Sequence, residues 1–391
     1  MKRYWKILTL CFITVLVLGT FYIQTSLAAE DIRFELEKVS GDENEVKNLK
    51  MNVSYAVEDL HQSFIISEKE AINLNNQSVF KQLTNLNTWT SLYPLVENHK
   101  QFMRGKHLFP NSFYEDQDLV VYVNIEGKSI NSSTSDLYFD IEVLDKKSEE
   151  TTSMTFDLPN HEKYHWFDIM DIQIVNGELK VIARGSGVNG GEDLIVYTVD
   201  VKNKKMTNEE LIYSSPEVKN GWSGFRVFND YYSSQPEQYL IFLSEAYEHE
   251  DSGMEVELAN NKMVYDIKNN KMVKMDLPED FTGDFDNSSI VNSTIMVPVY
   301  SESGVKILQY DIETGNINEK QTFGVVNMES DKEAPYIKIR NEKVYTVEST
   351  EDGHYLSISD INTGESLYEG KIIVKNKKTE DYKLYFYEIQ E

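Results

Sequence analysis

The chain of 391 residues reads as an all-β protein built by repetition. Three observations lead there. The first is composition: 24 Tyr and 18 Phe, with many Val, Ile and Thr, are residues that fit a pleated, half-buried surface. The second is a short motif in which an Asp closes a run of alternating residues and a tight turn follows. It occurs as "VDVKNKKM" from Val199, "YDIKNNKM" from Tyr265, "YDIETGNI" from Tyr310 and "SDINTGES" from Ser359, with a fainter copy, "EVLDKKSEE", around Asp145. Asp145, Asp200, Asp266, Asp311 and Asp360 are thus spaced by 55, 66, 45 and 49 residues. The third is a second mark with a similar period. Pro110, Pro159, Pro216, Pro278 and Pro335 lie 49, 57, 62 and 57 residues apart, between units, where a missing ladder donor is tolerated.

Taken from the N-terminus, the first 29 residues differ in kind from the rest. "MKRYWK" is a basic opening, Ile7 to Ile23 is a 17-residue stretch without charge, and "SLAA" follows with small residues placed as at a signal-peptidase site. A cleaved signal peptide and an uncleaved signal anchor fit equally, since about 17 apolar residues is the lower limit for crossing a bilayer. Either way the chain is expected to be exported, with residues 30–391 as one extracytoplasmic domain. The single cysteine, Cys11, lies in this segment, so the exported part holds no disulfide, no cysteine nucleophile and no thiolate metal site.

Five units follow between Asn111 and Val374. Each Asp is preceded by a strand-like run: "LYFDIEVLD", "DLIVYTVD", "NKMVYD", "KILQYD" and "YLSISD". Before each of these comes a turn signal, at Asn131–Ser132, Gly190–Gly191, Asn260–Asn261, Ser303–Gly304 and Asp352–Gly353. Another strand-like run precedes each turn: "DLVVYVNI", "ELKVIARG", "YLIFLSEA", "TIMVPVYS" and "KVYTVEST". Units of about 50 residues with three or four short antiparallel strands predict a β-propeller. Residues 30–110 and 375–391 supply one large or two ordinary further blades. Six or seven blades are therefore expected, seven being favoured. The terminal run "YKLYFYEI" from Tyr382 is expected to pair with "LKMNVSYAV" from Leu49 and close the ring. Ser67 to Gly105 departs from the pattern: "EKEAINL", "SVFKQLTNL" and "PLVENHKQFMRG" have helical spacing, and Gly105 is a stop signal. A helical insertion is expected there.

The turn chemistry explains the recurring acid. An Asp carboxylate accepts hydrogen bonds from the amides that follow it. Four residues on stand Gly315, Gly364 and Asn270, residue types that accept the positive φ of such a turn. Lys204 holds that offset in the remaining strong copy, where Asn203 offers a turn shifted by one.

Composition narrows function. The formal charge is −27, and removing Lys2, Arg3 and Lys6 leaves 35 basic against 65 acidic residues, near −30. Such a chain does not neutralise nucleic-acid phosphates, and it meets a membrane only through its N-terminal segment. "HEKYH", His161 to His165, has the spacing of a zincin helix pair but sits in a predicted loop, so no metal site is assigned. "GDFDNSS" from Gly283 and "SGDENE" from Ser40 lack the glycine and distant acid of a calcium loop. "STEDGHYL" from Ser349 shares Ser349 and Gly353 with the Asp-box of sialidase-type propellers and reads as a hairpin turn. No nucleophile elbow, Walker loop or dinucleotide fingerprint is present.

In its "YDIETG" and "SDINTG" turns the chain resembles the blades of quinoprotein-like and related bacterial propellers, over Asn111 to Val374 and at the level of fold. The resemblance implies an extracytoplasmic repeat protein. The exported part has only Trp89, Trp166 and Trp222, which argues against a quinone, and no cofactor is expected. Two functions remain. One is a non-enzymatic binding, scaffold or regulatory protein of the cell envelope, gripping an envelope protein or wall component through His165, Trp166, Trp222 and Arg226, placed in loops between blades. Exposed aromatics and arginine are the usual anchors of interfaces. The other is a propeller-type hydrolase of glycans or wall polymers, which needs two facing carboxylates.

Overall fold

A computed structural model describes residues 32–58, 60–68, 70–75, 92–127, 137–188, 190–228, 234–250, 253–278, 283–301, 304–323, 335–350, 352–377, 379 and 381–390, with residues 9, 12–14, 19 and 20 near the N-terminus. The signal or anchor segment lies almost wholly outside the described residues. Among the described residues no helix is long and apolar enough to cross a membrane.

The chain opens with β1 (Arg33–Gly41), β2 (Lys50–Val57), β3 (Leu60–Ser67) and β4 (Ala71–Asn73), then two short helices, α1 (Tyr93–Asn98) and α2 (Lys100–Met103). Next come β5 (Phe113–Glu115), β6 (Leu119–Gly127), β7 (Leu137–Asp145) and β8 (Thr151–Asp157). β9 (Tyr164–Val175), β10 (Glu178–Gly187), β11 (Glu192–Asp200) and β12 (Lys205–Ser214) form the next four. They are followed by β13 (Gly221–Val227), β14 (Tyr239–His249), β15 (Glu255–Asp266) and β16 (Lys271–Lys274). Then come β17 (Ser289–Val291), β18 (Thr294–Ser301), β19 (Gly304–Asp311) and β20 (Ile317–Phe323). β21 (Tyr336–Arg340), β22 (Lys343–Thr350), β23 (Gly353–Asp360), β24 (Ser366–Lys375) and β25 (Lys383–Gln390) complete the chain.

These strands make six antiparallel sheets among the described residues. Four are plain meanders: β5 to β8, β9 to β12, β13 to β16 and β17 to β20. The other two are shared between the ends of the chain. The first sheet runs β25-β2-β3-β4, so the C-terminal strand is its innermost member. The last runs β21-β22-β23-β24-β1, so the N-terminal strand is its outermost member. The expected pairing of the two termini is therefore present, with Lys50 opposite Gln390 and Ala56 opposite Lys383. The fifth strand contributed by β1 had no signal in the repeat, because it belongs to none of the units.

Apolar layers join the sheets face to face, which makes the array a β-propeller. One layer packs Met51, Tyr55 and Phe64 of the first sheet against Tyr345, Leu356 and Tyr368 of the last. Others join the second and third sheets through Phe139, Ile172 and Tyr197, and the third and fourth through Ile182, Phe225 and Phe242. The fourth and fifth meet at Ile241, Phe285 and Val297, the fifth and last at Ile307, Ile337 and Val344. The remaining face of the second sheet is covered differently. There Leu92, Leu95, Phe102 and Met103 of the helical segment pack on Val120, Tyr122 and Leu144. The Lys50 ammonium of the first sheet lies 6.0 Å from the Tyr93 ring of α1. The helical segment thus packs on the second sheet and reaches the first.

Two local expectations differ from what is found. "EKEAINL" does not form a helix: Ala71–Asn73 is an edge strand, with Asn73 opposite Phe64, because pairing with β3 overrides helical spacing. Asn260–Asn261 is not a turn but the middle of β15, opposite Glu245 and Ser244. That hairpin turns instead beyond His249 and Glu255, where Glu250 N–H donates to the Met254 carbonyl. Asn131–Ser132 lies outside the described residues.

Each Asp-turn is a built object. Asp Oδ1 accepts from the amide three residues on in every copy: Ser148, Asn203, Asn269, Thr314 and Thr363 at 2.7–3.0 Å. These amides hold the carboxyls of Asp145, Asp200 and Asp311 below the usual carboxylate range. The residue four beyond the Asp has positive φ in all five, Glu149, Lys204, Asn270, Gly315 and Gly364. Lys204 itself takes that conformation, so the turn is not shifted to Asn203. In four sheets the amide just after the Asp donates across to the hairpin joining the two inner strands: Lys146 to Asp118, Ile267 to Gln238, Ile312 to Ser293 and Ile361 to Glu342, at 2.8–2.9 Å. Inner hairpins and Asp-turns therefore share one end of the propeller, and the β10–β11, β14–β15 and β22–β23 hairpins lie at the other.

Candidate functional site

The four anchor residues chosen from sequence lie on strands, not in the loops between sheets. His165 and Trp166 are in β9, Trp222 and Arg226 in β13, both innermost strands. His165 is the extra residue of a register irregularity in β9, between Tyr164 opposite Gly187 and Trp166 opposite Ser186. Trp166, 49% exposed, lies under the Arg184 guanidinium at 5.1 Å. That guanidinium donates to the Phe225 carbonyl at 3.0 Å and pairs with Asp168 at 3.3 Å, tying the third sheet to the fourth. Trp222, 45% exposed, stacks on Tyr247 at 4.9 Å. Arg226 covers the Phe228 ring at 4.6 Å and pairs with Asp286 at 2.5 Å. The structure thus spreads Trp166, Trp222 and Arg226 over two inter-sheet faces.

The other sequence candidates resolve into turns. His161 sits in a 3-10 turn and its Nδ1 lies 2.7 Å from the Leu158 carbonyl, while His165 is in a strand, so the zincin helix is absent. Asp284 accepts from the amides of Asp286 and Asn287, and Asp42 from that of Asn44. Among the described residues no three His, Cys, Asp or Glu side chains converge as metal ligands. Ser349 and Gly353 flank the β22–β23 hairpin, with Ser349 Oγ 2.9 Å from His354 Nδ1.

A large concavity opens at the Asp-turn end. It has a volume of about 1000 Å³ and lies among the inner hairpins of the fifth and last sheets, with Asn292, Ser293, Arg340 and Asn341, and the segment Gln235–Tyr239 that leads into β14. A smaller cavity of about 340 Å³ lies on the other side of that segment, against Gln173, Asn176 and Lys268. Residues 234–238 form a strap. The Ser234 carbonyl accepts from Glu115 N–H in the second sheet at 2.8 Å, Glu237 N–H donates to Gln173 Oε1 in the third at 2.9 Å, and the Gln238 carbonyl accepts from Ile267 N–H at 2.9 Å. One short segment therefore touches three sheets and walls both cavities. Side-chain amides such as Gln173, Gln235, Asn292 and Asn341 share the lining with aliphatic side chains such as Ile290 and Ile339, and Arg340, Lys268 and Glu237 are its charges.

Beneath the strap lies a carboxylate that sequence reasoning missed. Asp171 of β9 is buried, and Gln173 Nε2 donates to both its oxygens at 3.0–3.2 Å. Burial pushes its carboxyl well above the ordinary carboxylate range, against the opposing hydrogen bond from Gln173. The same arrangement recurs on β25, where buried Glu388 accepts from Gln390 Nε2. In sequence these are the triplets "DIQ" at Asp171–Gln173 and "EIQ" at Glu388–Gln390. Both sit on innermost strands, each just after a register irregularity opposite Ile182–Ala183 and Asn52–Val53. An acid-Ile-Gln repeat was the signal available, but its copies lie 217 residues apart.

No protein-family model matches the chain, and no curated protein matches it. Among solved structures, TolB from Acinetobacter baumannii is 12% identical, with 82% of this chain and 63% of that chain covered at a TM-score of 0.31. An uncharacterized protein from Listeria monocytogenes is 8% identical, covering 66% of this chain and 66% of that one at 0.35. The β-propeller domain of the Trilobed protease from Pyrococcus furiosus is 11% identical, covering 86% and 97% at 0.30. The chain spans less than two thirds of the length of the first two. Likeness at these scores carries no argument about activity.

Proposed function

We propose that this protein is a non-enzymatic, extracytoplasmic binding propeller of the cell envelope, whose ligand seats in the mouth formed by the inner hairpins. We read the ring as six blades, with the helical segment in the place of a seventh, and residues 1–29 as the export signal or anchor. The observation that carries the reading is the cavity of about 1000 Å³ walled by hairpins of two sheets and the strap of a third. Its size is at the upper end of ligand pockets. A lining of amides with Arg340 and Glu237 donates and accepts hydrogen bonds in many directions, which suits a hydroxyl- or amide-rich wall component. Thermal shift against soluble wall-glycan and peptide fragments tests it. A bound fragment raises the melting temperature by mass action. In the Arg340→Ala/Asn292→Ala variant the rise is expected to vanish while the unliganded melting temperature holds. An equal rise in the variant, or no rise with any fragment, counts against the mouth.

One observation favours a second reading, a hydrolase of glycans or wall polymers. Asp171 and Glu388 are paired by type and position, and a carboxyl with a raised pKa suits a general acid. Both are buried, however, and Asp171 lies under the strap, closed to a polymer. A structural role therefore fits these carboxyls better than catalysis. Turnover of wall polymer that is lost in Asp171→Asn would reverse that preference.

A further inference from the structure

We infer that residues 234–238 are a proton-linked latch on the mouth, held shut while Asp171 carries its proton and released when Asp171 ionises. The inference rests on the mouth reading for its consequence, because the strap walls both cavities. It is tested without a ligand, so an absent ligand and an unmoving strap are separate failures.

The first support is a relay of hydrogen bonds with a carboxyl at one end and the strap at the other. Gln173 Nε2 donates to both oxygens of Asp171, at 3.0 and 3.2 Å, and Gln173 Oε1 accepts from Glu237 N–H at 2.9 Å. One planar amide therefore spans acid and strap, and it cannot turn without leaving both. Gln173 also lines the smaller cavity of about 340 Å³, with buried Asp171 behind it. Swinging Gln173 aside opens Asp171 to solvent through that cavity and unfastens the strap from the third sheet.

The second support is the cost of a charge in the closed arrangement. Asp171 lies opposite Ile182, in the apolar layer that also holds Met170 and Phe225. Its carboxyl receives the Gln173 amide and the Ile172 N–H, whereas an ionised carboxylate offers about four acceptor positions. A buried charge left short of donors is costly, and hydration relieves it. The charged groups around it are engaged elsewhere. On β10, Lys180 donates to the Ile267 carbonyl at 2.6 Å, and Arg184 pairs with Asp168 at 3.3 Å. In the fourth sheet Asp266 accepts from Asn269, while Glu237 and Lys268 line the smaller cavity. Glu210 of β12 accepts from Asn270, and Glu115 of the second sheet pairs with Lys146 at 2.6 Å. Burial, rather than a neighbouring charge, thus raises the Asp171 carboxyl above its ordinary range.

The sign follows from that. The closed form binds the proton more tightly than an open form with Asp171 hydrated. Below the ordinary Asp value of 3.8 both forms are protonated and pH leaves the strap alone; as pH rises towards and through the raised value, the open form gains.

Amide hydrogen exchange on the full chain reads the latch. Each rate is divided by its intrinsic chemical rate at that pH, and the β14 amides of Ile241 to Leu243 serve as reference. Between pH 4 and pH 8 the strap amides are expected to lose about tenfold or more in protection while the β14 amides hold. Asp171→Asn, neutral throughout and still an acceptor for Gln173, is expected to keep the strap protected at both values. Glu388→Gln, the matching acid on β25, is expected to leave the wild-type response in place. Gln173→Ala is expected to expose the strap at both values; should it melt early, Asp171→Asn carries the test alone. Equal strap protection at the two pH values in the wild type, an equal loss in Asp171→Asn, or a loss shared by β14 overturns the inference.

Discussion

At the fourth position after each recurring Asp, four residue types meet one backbone demand. Gly315 and Gly364 take φ of +71 without a Cβ to strain, whereas Glu149, Lys204 and Asn270 take +58, +50 and +53 with one. A non-glycine residue in that region costs roughly 1–2 kcal/mol. Gly315→Val is therefore expected to lower stability by about 1–2 kcal/mol, and Lys204→Gly to raise it by up to about 1 kcal/mol. Chemical denaturation of the two variants checks both signs, and a Lys204→Gly protein weaker than wild type would count against the turn geometry. Asp171 makes a separate case. Its folded pKa is raised, so the folded state holds the proton more tightly than the unfolded chain does. Stability is then undiminished below the ordinary Asp value of 3.8, falls as pH rises towards the folded pKa, and stays reduced above it. Asp171→Asn removes that loss and keeps an acceptor for Gln173. It is expected to stabilise by about 1–3 kcal/mol at pH 8 and to change little at pH 4. Equal melting shifts at the two pH values would contradict this.

Among the elements, the two terminal strands close the ring in different ways. β25 is the innermost strand of its sheet and buries Leu384 and Ile389 in the layer shared by the first and last sheets. β1 lies outermost, and of its residues only Phe34 is buried. Removing residues 382–391 strips an inner strand and uncovers the layer around Tyr55, whereas removing residues 1–41 bares an outer edge. The C-terminal truncation is expected to lower the melting temperature by much more than the N-terminal one, and comparable losses would argue against the inner placement of β25. The same contrast shows what could be read from sequence. The Asp-turns, the strands of the five units and the pairing of Tyr382–Ile389 with Leu49–Val57 were legible, because each is specified by a local pattern with a period. Asn260–Asn261 looked like a turn because its chemistry is that of a turn, yet pairing with Glu245 and Ser244 of β14 keeps it in β15. Ala71–Asn73 looked helical because three residues of edge strand carry almost no pattern of their own.

For the molecule as a whole, the site was far less legible than the scaffold. The mouth cavity draws on residues from Gln235 to Asn341, brought together only when the sheets close. Its lining mixes polar and apolar side chains from three separate segments, so no periodicity marks it. Trp166, Trp222 and Arg226 were visible by residue type, but type alone did not reveal that β9 and β13 send them to different faces. The strand β1 also fixes an orientation. Arg33 lies opposite Lys375 at the end of β24, and β24 runs away from its Asp-turn. The chain therefore enters the propeller at the end opposite the cavity. Were residues 1–31 held in a bilayer, the cavity would look outward, away from the lipid, and the β14–β15 tip would look back towards it. A single tethered molecule would then have an outer face for what arrives from the surroundings and an inner face for what stands beside it in the membrane.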